Sequence, residues 1–434
     1  MTSPTTPLTP PRTGAGLFAR LSTMMLLEFI VFGSWYATLG LVLATNGLGA
    51  IIGVAYSLGA LGAIFSPMLL GAIADRFFSS QKVLGVVHLI GGLLLLVMPF
   101  AVGAGNSGAV LALVLIYMLF FQPTLGLANT IAFRHLGGND RVFPFIRVFG
   151  TFGWIVAGLL VGWMGLSAST GVFIVAAIAS GVLAVYAFTL PKTPPAGKGT
   201  RFSLGDLVGA KSFVLFRHRN FVIFALCALL TCVSLATYNA YASTFLSALG
   251  IENVAGVLVI GQISEIVFIV TIPFVLAWIG MKWALLGGML MWGIRFFLFV
   301  LAAGDQQWLA IVGIALHGIC NDFFLILGAM YVDKVAPVAL KAQAQSFFLF
   351  VSNGIGVFLG SLVAGQVYNA VVAPTIEAGT NDLGAWSSLW ILPIATSVVT
   401  AILWIVFFRE RDHKKVETEV LAESIAEVEA ERSA

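Results

Sequence analysis

The sequence predicts an all-α integral membrane protein with twelve transmembrane helices, and three observations carry this prediction. Of the 434 residues, 59% are hydrophobic and only 9% are charged, and the mean hydropathy is +1.02. Long apolar runs recur along the chain, and Lys and Arg gather in alternate connections between them. Because a soluble domain carries about 25% charged residues, the composition excludes a water-soluble fold.

Each predicted span holds the roughly 20 apolar residues that a helix needs to cross the hydrocarbon core. A shorter run would indicate a buried helix of a soluble domain instead. The twelve runs lie near 20–44, 48–74, 82–103, 109–133, 143–165, 170–190, 218–247, 254–279, 282–302, 307–332, 341–370 and 385–408.

The distribution of basic residues predicts the orientation of the spans. The connections near 45–48, 104–108, 166–169, 248–253, 303–306 and 371–384 contain no Lys or Arg. The alternate connections contain them, and both chain ends belong to this basic set, with Arg12 at one end and Arg409 at the other. Since cytoplasmic connections are enriched in Lys and Arg, we expect both termini to be cytoplasmic.

A basic segment rich in Pro and Gly divides the chain into two sets of six spans. The connections after spans 2 and 8 both follow a helix with a proline, Pro67 and Pro273, which is a weak sign of parallel repeats. We therefore predict a disordered N-terminal segment at 1–19, a six-helix lobe at 20–190, a cytoplasmic linker at 191–217, a second six-helix lobe at 218–408 and a charged tail at 409–434.

Several classes of function find no support in the chain. Cys227, Cys232 and Cys320 lie in apolar runs without metal-ligand spacing, and a net charge of +3 does not indicate a nucleic-acid partner. No phosphate-binding loop or nucleophile elbow occurs, and no span offers filter-like loops of a channel. We expect no cofactor, no metal and no enzyme activity, because an embedded enzyme would need a paired catalytic set and Asp322 is the only intramembrane Asp.

Ionisable side chains inside membrane spans are costly and usually face the bundle interior or a water-filled cavity. Each also has a structural interpretation, as a buried partner that holds helices together. The spans of this chain contain Glu28, Arg147, Glu265, Arg295, His317 and Asp322.

The stretch "GQISEIVFIVTIPF" (261–274) places Gln262 and Glu265 three residues apart and so on one helix face. They form either a substrate-binding or protonatable pair, or a buried structural pair. In "FIRVFGTFGW" (145–154), Arg147, Thr151 and Trp154 form one stripe with a cation, a hydroxyl and an aromatic plane. Arg147 could instead extend to the cytoplasmic interface.

The stretch "HGICNDFF" (317–324) places His317 and Asn321 on one face, with Asp322 about 100° round the helix. A carboxylic acid in apolar surroundings favours its neutral form, so Asp322 is either a proton carrier or the permanent partner of an arginine. Asn239 is either a packing group or a ligand donor, and Glu28 is either a proton site or a structural partner. We interpret Arg295 as a structural partner and His88 as a packing residue.

Several stretches resemble one family of membrane proteins. The loop "GAIADR" (71–76) is similar to the cytoplasmic Gly–Asp–Arg loop of the major facilitator superfamily. More specific stretches resemble the nucleoside:proton symporter family, the bacterial nucleoside permeases, and their order covers about 20–408. They are "FGSWYATLG" (32–40), "QPTLGLANTI" (122–131), "IRVFGTFGW" (146–154), "QISEIVFIVTIPF" (262–274), "IRFFLF" (294–299) and "FFLFVSNGIGVFLGSLVAG" (347–365).

The resemblance implies a major facilitator fold with a central cavity between two lobes, and uptake of nucleosides by alternating access driven by the proton gradient. Carried over by motif, the ligand-facing residues are the span 5 stripe, the span 7 asparagine and the span 8 pair, with the span 10 aspartate beside them. In this chain these are Arg147, Thr151, Trp154, Asn239, Gln262, Glu265 and Asp322.

The chain also departs from the family pattern. Ala236 stands where members carry a glutamine, and His317 and Asn321 stand where they carry aromatic residues. These changes imply a more polar wall around the base and leave open a ribosylated base other than the usual ones. Glu28 stands at the position of an uncharged glutamine and would add a proton site.

The leading hypothesis is a proton-coupled nucleoside importer that acts as a monomer in a bacterial inner membrane. The alternative is a transporter of the same fold that moves a sugar or another small polar metabolite, with export as one direction. For proton coupling the candidates are Asp322, Glu265 and Glu28. For substrate binding they are Arg147, Thr151, Trp154, Asn239, Gln262, Glu265, His317 and Asn321.

Overall fold

The computed structural model describes residues 14–66, 78–136, 142–195, 210–304, 306–337 and 340–409. Within these ranges all regular structure is helical. Ten of the helices are long and apolar enough to cross a membrane, or eleven if one pair bent by 42° counts as a single span. The prediction of an all-α, multi-pass membrane protein is therefore confirmed.

The N-terminal half of the described chain contains seven α-helices. Short 3-10 helices at Tyr36–Thr38 and Gly49–Ile51 join the first three. The helices are α1 (Ala15–Gly33), α2 (Leu39–Thr45), α3 (Ile52–Ser66), α4 (Ser80–Gly103), α5 (Ser107–Leu136), α6 (Phe143–Trp163) and α7 (Gly171–Thr189).

The C-terminal half follows a 3-10 helix at Ala210–Arg217. Two π-helical segments, Asp322–Ile326 and Phe350–Gly356, interrupt its later spans. Its helices are α8 (Arg219–Ala248), α9 (Val254–Ala303), α10 (Trp308–Ala315), α11 (His317–Asn321), α12 (Leu327–Val335), α13 (Lys341–Leu349), α14 (Val357–Val371), α15 (Ala373–Glu377) and α16 (Leu383–Phe407).

The 50 residues of α9 include the predicted spans 8 and 9. Gly280 interrupts the helix with φ 73° and ψ 171°. Glycine adopts positive φ without a steric cost because it has no Cβ, so the chain can turn sharply at this residue. The two arms, 254–279 and 281–303, agree closely with the two predicted runs.

The predicted disorder of residues 1–19 is wrong for its last part. Helix α1 begins at Ala15, after Gly14 in an extended conformation. Leu17 and Phe18 pack against the core, and the Phe18 ring meets Phe149 edge-on at 6.1 Å, which explains why the helix starts early. Residues 1–13, the loop at 71–76, most of the 191–217 linker and the tail from 410 lie outside the described residues.

Each half packs mainly on itself, and the halves meet chiefly through three helix pairs. Within the halves α1 packs on α6, α4 on α7, and α9 on α16. Between them α3 packs on α14, α6 on α9, and α2 on α8. The first of these contacts depends on two glycines, since a methyl group on Gly53 would lie 2.5 Å from the Gly365 Cα atom.

The three cysteines are free thiols inside this packing. Cys227 and Cys232 lie on α8 and Cys320 on α11, and the side chain of each has no exposed surface. No disulfide joins them, as expected from their positions in apolar runs.

Candidate functional site

A cavity of about 310 Å³ lies where α1 and α6 of the N-terminal half face α8, α9 and α11 of the C-terminal half. This volume is near the lower end of the ~300–1,000 Å³ range of small-molecule sites. Its wall includes all eight residues that the sequence suggested for substrate binding. The lining residues are Phe29, Phe32, Tyr36, Ala37, Arg147, Thr151, Trp154, Leu235, Tyr238, Asn239, Ala242, Leu258, Gln262, Glu265, His317 and Asn321.

Helix α6 presents Arg147, Thr151 and Trp154 to the cavity because α6 lies very close to α1. A methyl group on Gly153 would lie 3.2 Å from the backbone nitrogen of Ile30, and one on Gly33 would lie 3.1 Å from the Trp154 Cα atom. Small residues allow such close helix contacts. As a result the Arg147 guanidinium lies 4.3 Å from the centre of a ring on α1, that of Phe29.

The opposite wall depends on a short contact between α9 and α11. The Gly318 backbone N–H donates to Ser264 Oγ at 2.7 Å, and any side chain on Gly318 would overlap the backbone at Ser264 and Glu265. This contact brings the Asn321 side chain to Glu265, and Asn321 Nδ2 donates to Glu265 Oε1. The predicted pair Gln262 and Glu265 and the predicted face of α11 thus meet in one wall.

Arg295, which does not line the cavity, contacts the imidazole ring of His317. The Arg295 Nη1 atom lies 3.0 Å from His317 Nδ1, and the guanidinium lies 3.4 Å from the centre of the Tyr238 ring, on which the imidazole also stacks. Arginine can only donate hydrogen bonds, so Nδ1 accepts and the hydrogen of the neutral ring is on Nε2. This Nε2–H lies 3.9 Å from Glu265 Oε1 and is a donor at the cavity wall.

Arg295 itself is fully buried behind the wall and does not line the cavity. Its position agrees with the structural role expected of it from the sequence.

Asp322 lies behind the cavity wall. It begins the π-helical segment Asp322–Ile326, is only 2% exposed, and its Oδ2 atom has no hydrogen-bond partner. Among the described residues no arginine or lysine lies within ion-pair distance of it. The alternative interpretation of Asp322, as the permanent ion-pair partner of an arginine, therefore finds no such pair among the described residues.

Glu28 also lies away from the cavity, with no exposed surface. Its Oε2 atom is 2.9 Å from His88 Nε2, and its Oε1 atom is 2.5 Å from the Thr124 hydroxyl. His88 in turn contacts Ser180 through Nδ1 at 3.1 Å. The interpretation of His88 as a mere packing residue is wrong, because both of its ring nitrogens have polar partners on other helices.

Apart from Trp154, the sequence analysis missed the aromatic part of the wall. Phe29, Phe32 and Tyr36 line the cavity from the first span, and Tyr238 lines it from α8. Phe32 stacks on Tyr36 with ring centres 4.4 Å apart and meets Trp154 edge-on at 5.3 Å. The spacing of the first three, i, i+3 and i+7, would have indicated one aromatic face.

Among the described residues, no three His, Cys, Asp or Glu side chains come together in a way that could hold a metal ion. The polar groups that line the cavity include hydrogen-bond donors such as the Asn321 amide and acceptors such as the Glu265 carboxylate.

Three comparisons with known proteins indicate the same family. A family model described as nucleoside H+ symporter matches residues 15–413. YegT of Escherichia coli (strain K12) is 36% identical over 408 residues, which cover 91% of this chain and 95% of YegT. The nucleoside permease NupG of Escherichia coli (strain K12) is 33% identical over 420 residues, which cover 92% of this chain and 97% of NupG.

The comparison with solved structures indicates the same family. The crystal structure of nucleoside transporter NupG matches this chain with a TM-score of 0.80 at 31% identity, and the match covers 91% of this chain and 99% of that one. The apolar helices of this chain and its permease relatives show that it is a multi-pass inner-membrane protein. With a family model that matches nearly the whole chain, the protein belongs to the nucleoside H+ symporter family.

Proposed function

We propose that the protein imports nucleosides together with protons by alternating access. The observation that carries the proposal is the convergence of eight side chains, selected by their spacing and by the family resemblance, on one cavity between the two halves. Membership of the nucleoside H+ symporter family supports the substrate class and the coupling ion.

The ribose would bind at Glu265. Its carboxylate accepts from Asn321 and has further lone pairs for sugar hydroxyls, since a carboxylate can accept about four hydrogen bonds. Gln262 lies one turn away on the same face, and Asn239 faces them from α8. Hydrogen bonds to a charged group contribute about 1.5–3 kcal/mol each, so this cluster would distinguish a nucleoside from a free base.

The base would lie among the aromatic side chains. Trp154 and Phe32 on one side and Tyr238 on the other offer flat apolar surfaces. The Nε2–H of His317 adds a donor, because Arg295 occupies Nδ1. A base that presents an acceptor such as a ring nitrogen or an exocyclic oxygen fits this wall better than an apolar ring.

The helices fit twelve spans with both termini cytoplasmic. The break at Gly280 divides α9 into two spans, and the bent helices from Trp308 to Val335 form one. The contacts of Gly53 with Gly365 and of Asn369 with the Ala50 carbonyl lie near the connections without Lys and Arg. We assign this arrangement to the state in which the halves are closed on the outer side.

Asp322 would carry the coupled proton. A buried carboxyl group without an ion-pair partner is stable only in its neutral form, so the present arrangement fits a protonated Asp322. Loss of the proton would leave a charge that needs a cation, and the fully buried Arg295 lies on α9, the helix on which the segment Asp322–Ile326 packs. A change in pairing of this kind would shift the equilibrium between the two states, since a ligand acts only through its differential affinity for them.

Uptake of labelled uridine and adenosine into vesicles under an imposed pH gradient tests the proposal. We expect accumulation that depends on the gradient, and we expect Asp322→Asn to abolish accumulation against a nucleoside gradient. Uptake that is indifferent both to the gradient and to this substitution would contradict proton coupling.

Transport of a sugar is the second candidate, and the polar pair His317 and Asn321 favours it. Competition with free ribose, free base and intact nucleoside separates the two. Ribose that competes as strongly as the nucleoside would support the sugar transporter. A strong preference for the nucleoside would support the nucleoside importer.

A further inference from the structure

The contact between Glu28 and His88 lies outside the cavity, and the proposed transport mechanism does not use it. Both side chains are buried, Glu28 with 0% and His88 with 2% of its surface exposed. Together with Thr124 and Ser180 they connect α1, α4, α5 and α7 through hydrogen bonds. A cluster of this kind inside the apolar region of a membrane protein is costly and needs an explanation.

The hydrogen bonds identify the protonated ring nitrogen of His88. The Ser180 hydroxyl donates its one hydrogen to the His88 backbone carbonyl at 2.8 Å. Its oxygen can therefore only accept from His88 Nδ1, which lies 3.1 Å away. Nδ1 thus bears a hydrogen, and in a neutral ring His88 Nε2 would carry only a lone pair.

The second contact then requires one more proton. His88 Nε2 lies 2.9 Å from Glu28 Oε2, and a lone pair facing a carboxylate oxygen at this distance would be repelled. A proton must lie between them, either on Nε2 as an ion pair or on the carboxyl group as a neutral pair. The Thr124 hydroxyl approaches the other carboxyl oxygen, Oε1, at 2.5 Å.

Among the described residues, few other charged or titratable groups lie near the pair. Tyr117 of α5 and Arg147 of α6 are close enough to interact electrostatically with Glu28, and Arg147 faces the cavity instead. Arg20 lies eight residues before Glu28, about 12 Å along the helix, and Lys82 lies six residues before His88, about 9 Å along the helix. Tyr186, Arg134 and His135 lie at helix ends, where Tyr186 bonds the Arg20 carbonyl and His135 bonds Thr193.

We propose that Glu28 and His88 form a second proton-binding site, which binds one proton between His88 Nε2 and Glu28 Oε2 and releases it during transport. With the proton bound the pair has no net charge. Without it the pair keeps one buried negative charge that no cation of the described residues contacts, and this arrangement of helices cannot stabilise such a charge. Because no part of Glu28 is exposed, the proton can leave only when the surrounding helices move.

The pair is well placed to sense the state of the cavity. Phe32 follows Glu28 by one turn of α1 and forms part of the cavity wall. Its ring stacks on Phe121 at 4.8 Å, and Phe121 meets the His88 ring edge-on at 6.1 Å. One layer of aromatic side chains therefore separates the bound nucleoside from the proton, so a movement of this layer would affect both.

Infrared difference spectroscopy of the purified protein without nucleoside tests the site. Raising the pH from mildly acidic to alkaline should change the carboxyl and carboxylate bands of wild type, and Glu28 should contribute one residue's share of that change. This share is a loss of carboxyl absorption if the carboxyl group holds the proton and a shifted carboxylate band if His88 holds it. That signal should be lost in Glu28→Gln, whose neutral amide keeps hydrogen bonds to Thr124 and His88. The Glu28 signal should shift in frequency in His88→Gln and should persist in Asp322→Asn. Identical spectra for wild type and Glu28→Gln, or a Glu28 band that does not respond to pH, would overturn the proposal.

Two further measurements keep the test decisive. If Glu28→Gln does not fold, Thr124→Val should shift the same band by removing the hydroxyl from Oε1, and an unshifted band would contradict the site. The role in transport rests on the proposed proton-coupled uptake: Glu28→Gln should lower the accumulation of nucleoside under a pH gradient. If wild type shows no gradient-driven uptake, the proposed function fails, while the infrared result still decides whether the proton site exists.

Discussion

The guanidinium of Arg295 lies 3.0 Å from Nδ1 of His317 and stacks on the ring of Tyr238. Arg295 is fully buried on α9, yet it determines which ring nitrogen of His317, a cavity residue on α11, can donate a hydrogen bond. The consequence is a neutral imidazole whose Nε2–H is directed to the substrate side. The cavity wall therefore offers a hydrogen-bond donor beside the aromatic ring of Tyr238.

Two substitutions of His317 should separate its two ring nitrogens. Gln places an amide group near the position of Nε2, whereas Asn places one near Nδ1 and keeps only the contact with Arg295. We therefore expect His317→Gln to bind nucleosides more tightly than His317→Asn, by up to about tenfold, because one hydrogen bond contributes about 0.5–1.5 kcal/mol. Isothermal titration calorimetry of both variants measures the difference, and equal affinities would show that Nε2 does not contact the ligand.

Substitution of Glu265 by Gln should weaken nucleoside binding about 10- to 100-fold, because hydrogen bonds to a charged group contribute roughly 1.5–3 kcal/mol. A nucleoside without its 2′ and 3′ hydroxyl groups should lose much less affinity in the same variant. The control is Glu252→Gln, which changes an exposed carboxylate before α9. If the two nucleosides respond equally to Glu265→Gln, the carboxylate does not bind the ribose.

Gly318→Ala should disturb both stability and binding, because the added methyl group overlaps the α9 backbone at Ser264 and Glu265. Inserting a methyl group into a packed contact costs about 1–3 kcal/mol, and here it also displaces Asn321 from Glu265. Thermal unfolding with and without nucleoside measures both effects. Gly287→Ala is the matched control, since no atom lies within 4 Å of its added methyl group; equal midpoints for the two variants would contradict the close contact.

Gly365→Leu should slow transport by preventing the approach of α14 to α3. The Gly53 Cα atom lies 2.9 Å from the Cβ position of residue 365, and closing the halves over a larger side chain would cost about 1–3 kcal/mol or more, roughly a 5- to 150-fold lower closed population. Initial uptake rates in vesicles measure the effect. Gly181→Leu, which has open space around it on α7, should transport at the wild-type rate, and normal transport by both variants would argue against closure at this contact.

The sequence predicts much of the site because charges in membrane spans are rare. Spacing alone placed Gln262 with Glu265 and Arg147 with Thr151, and all four line the cavity. Aromatic residues carry a weaker signal, because the spacing of Phe29, Phe32 and Tyr36 indicates a shared face, but such a face in an apolar span could equally meet lipid, the core or a cavity. The polar residues of the wall and Trp154 were therefore predictable, and its other aromatic residues were not.

Contacts distant in sequence account for the other differences. His88 meets Glu28 across 60 residues and Ser180 across 92, and one helix considered alone gives no sign of either partner. The π-helical segments that hold Asp322 and Gly354 also leave no trace in hydrophobic periodicity, because a single widened turn shifts the pattern by only one residue. The start of α1 at Ala15 depends on packing against Phe149, on another helix.

The burial of Cys227, Cys232 and Cys320 makes the natural chain a suitable background for spectroscopic labelling. A maleimide or nitroxide reagent should leave these three thiols of the folded protein unmodified and react with single cysteines introduced on opposite halves. Distances between probes can then be followed without first removing the native cysteines. The same three thiols become reactive on unfolding, so a thiol-reactive dye should report the melting of every variant described above.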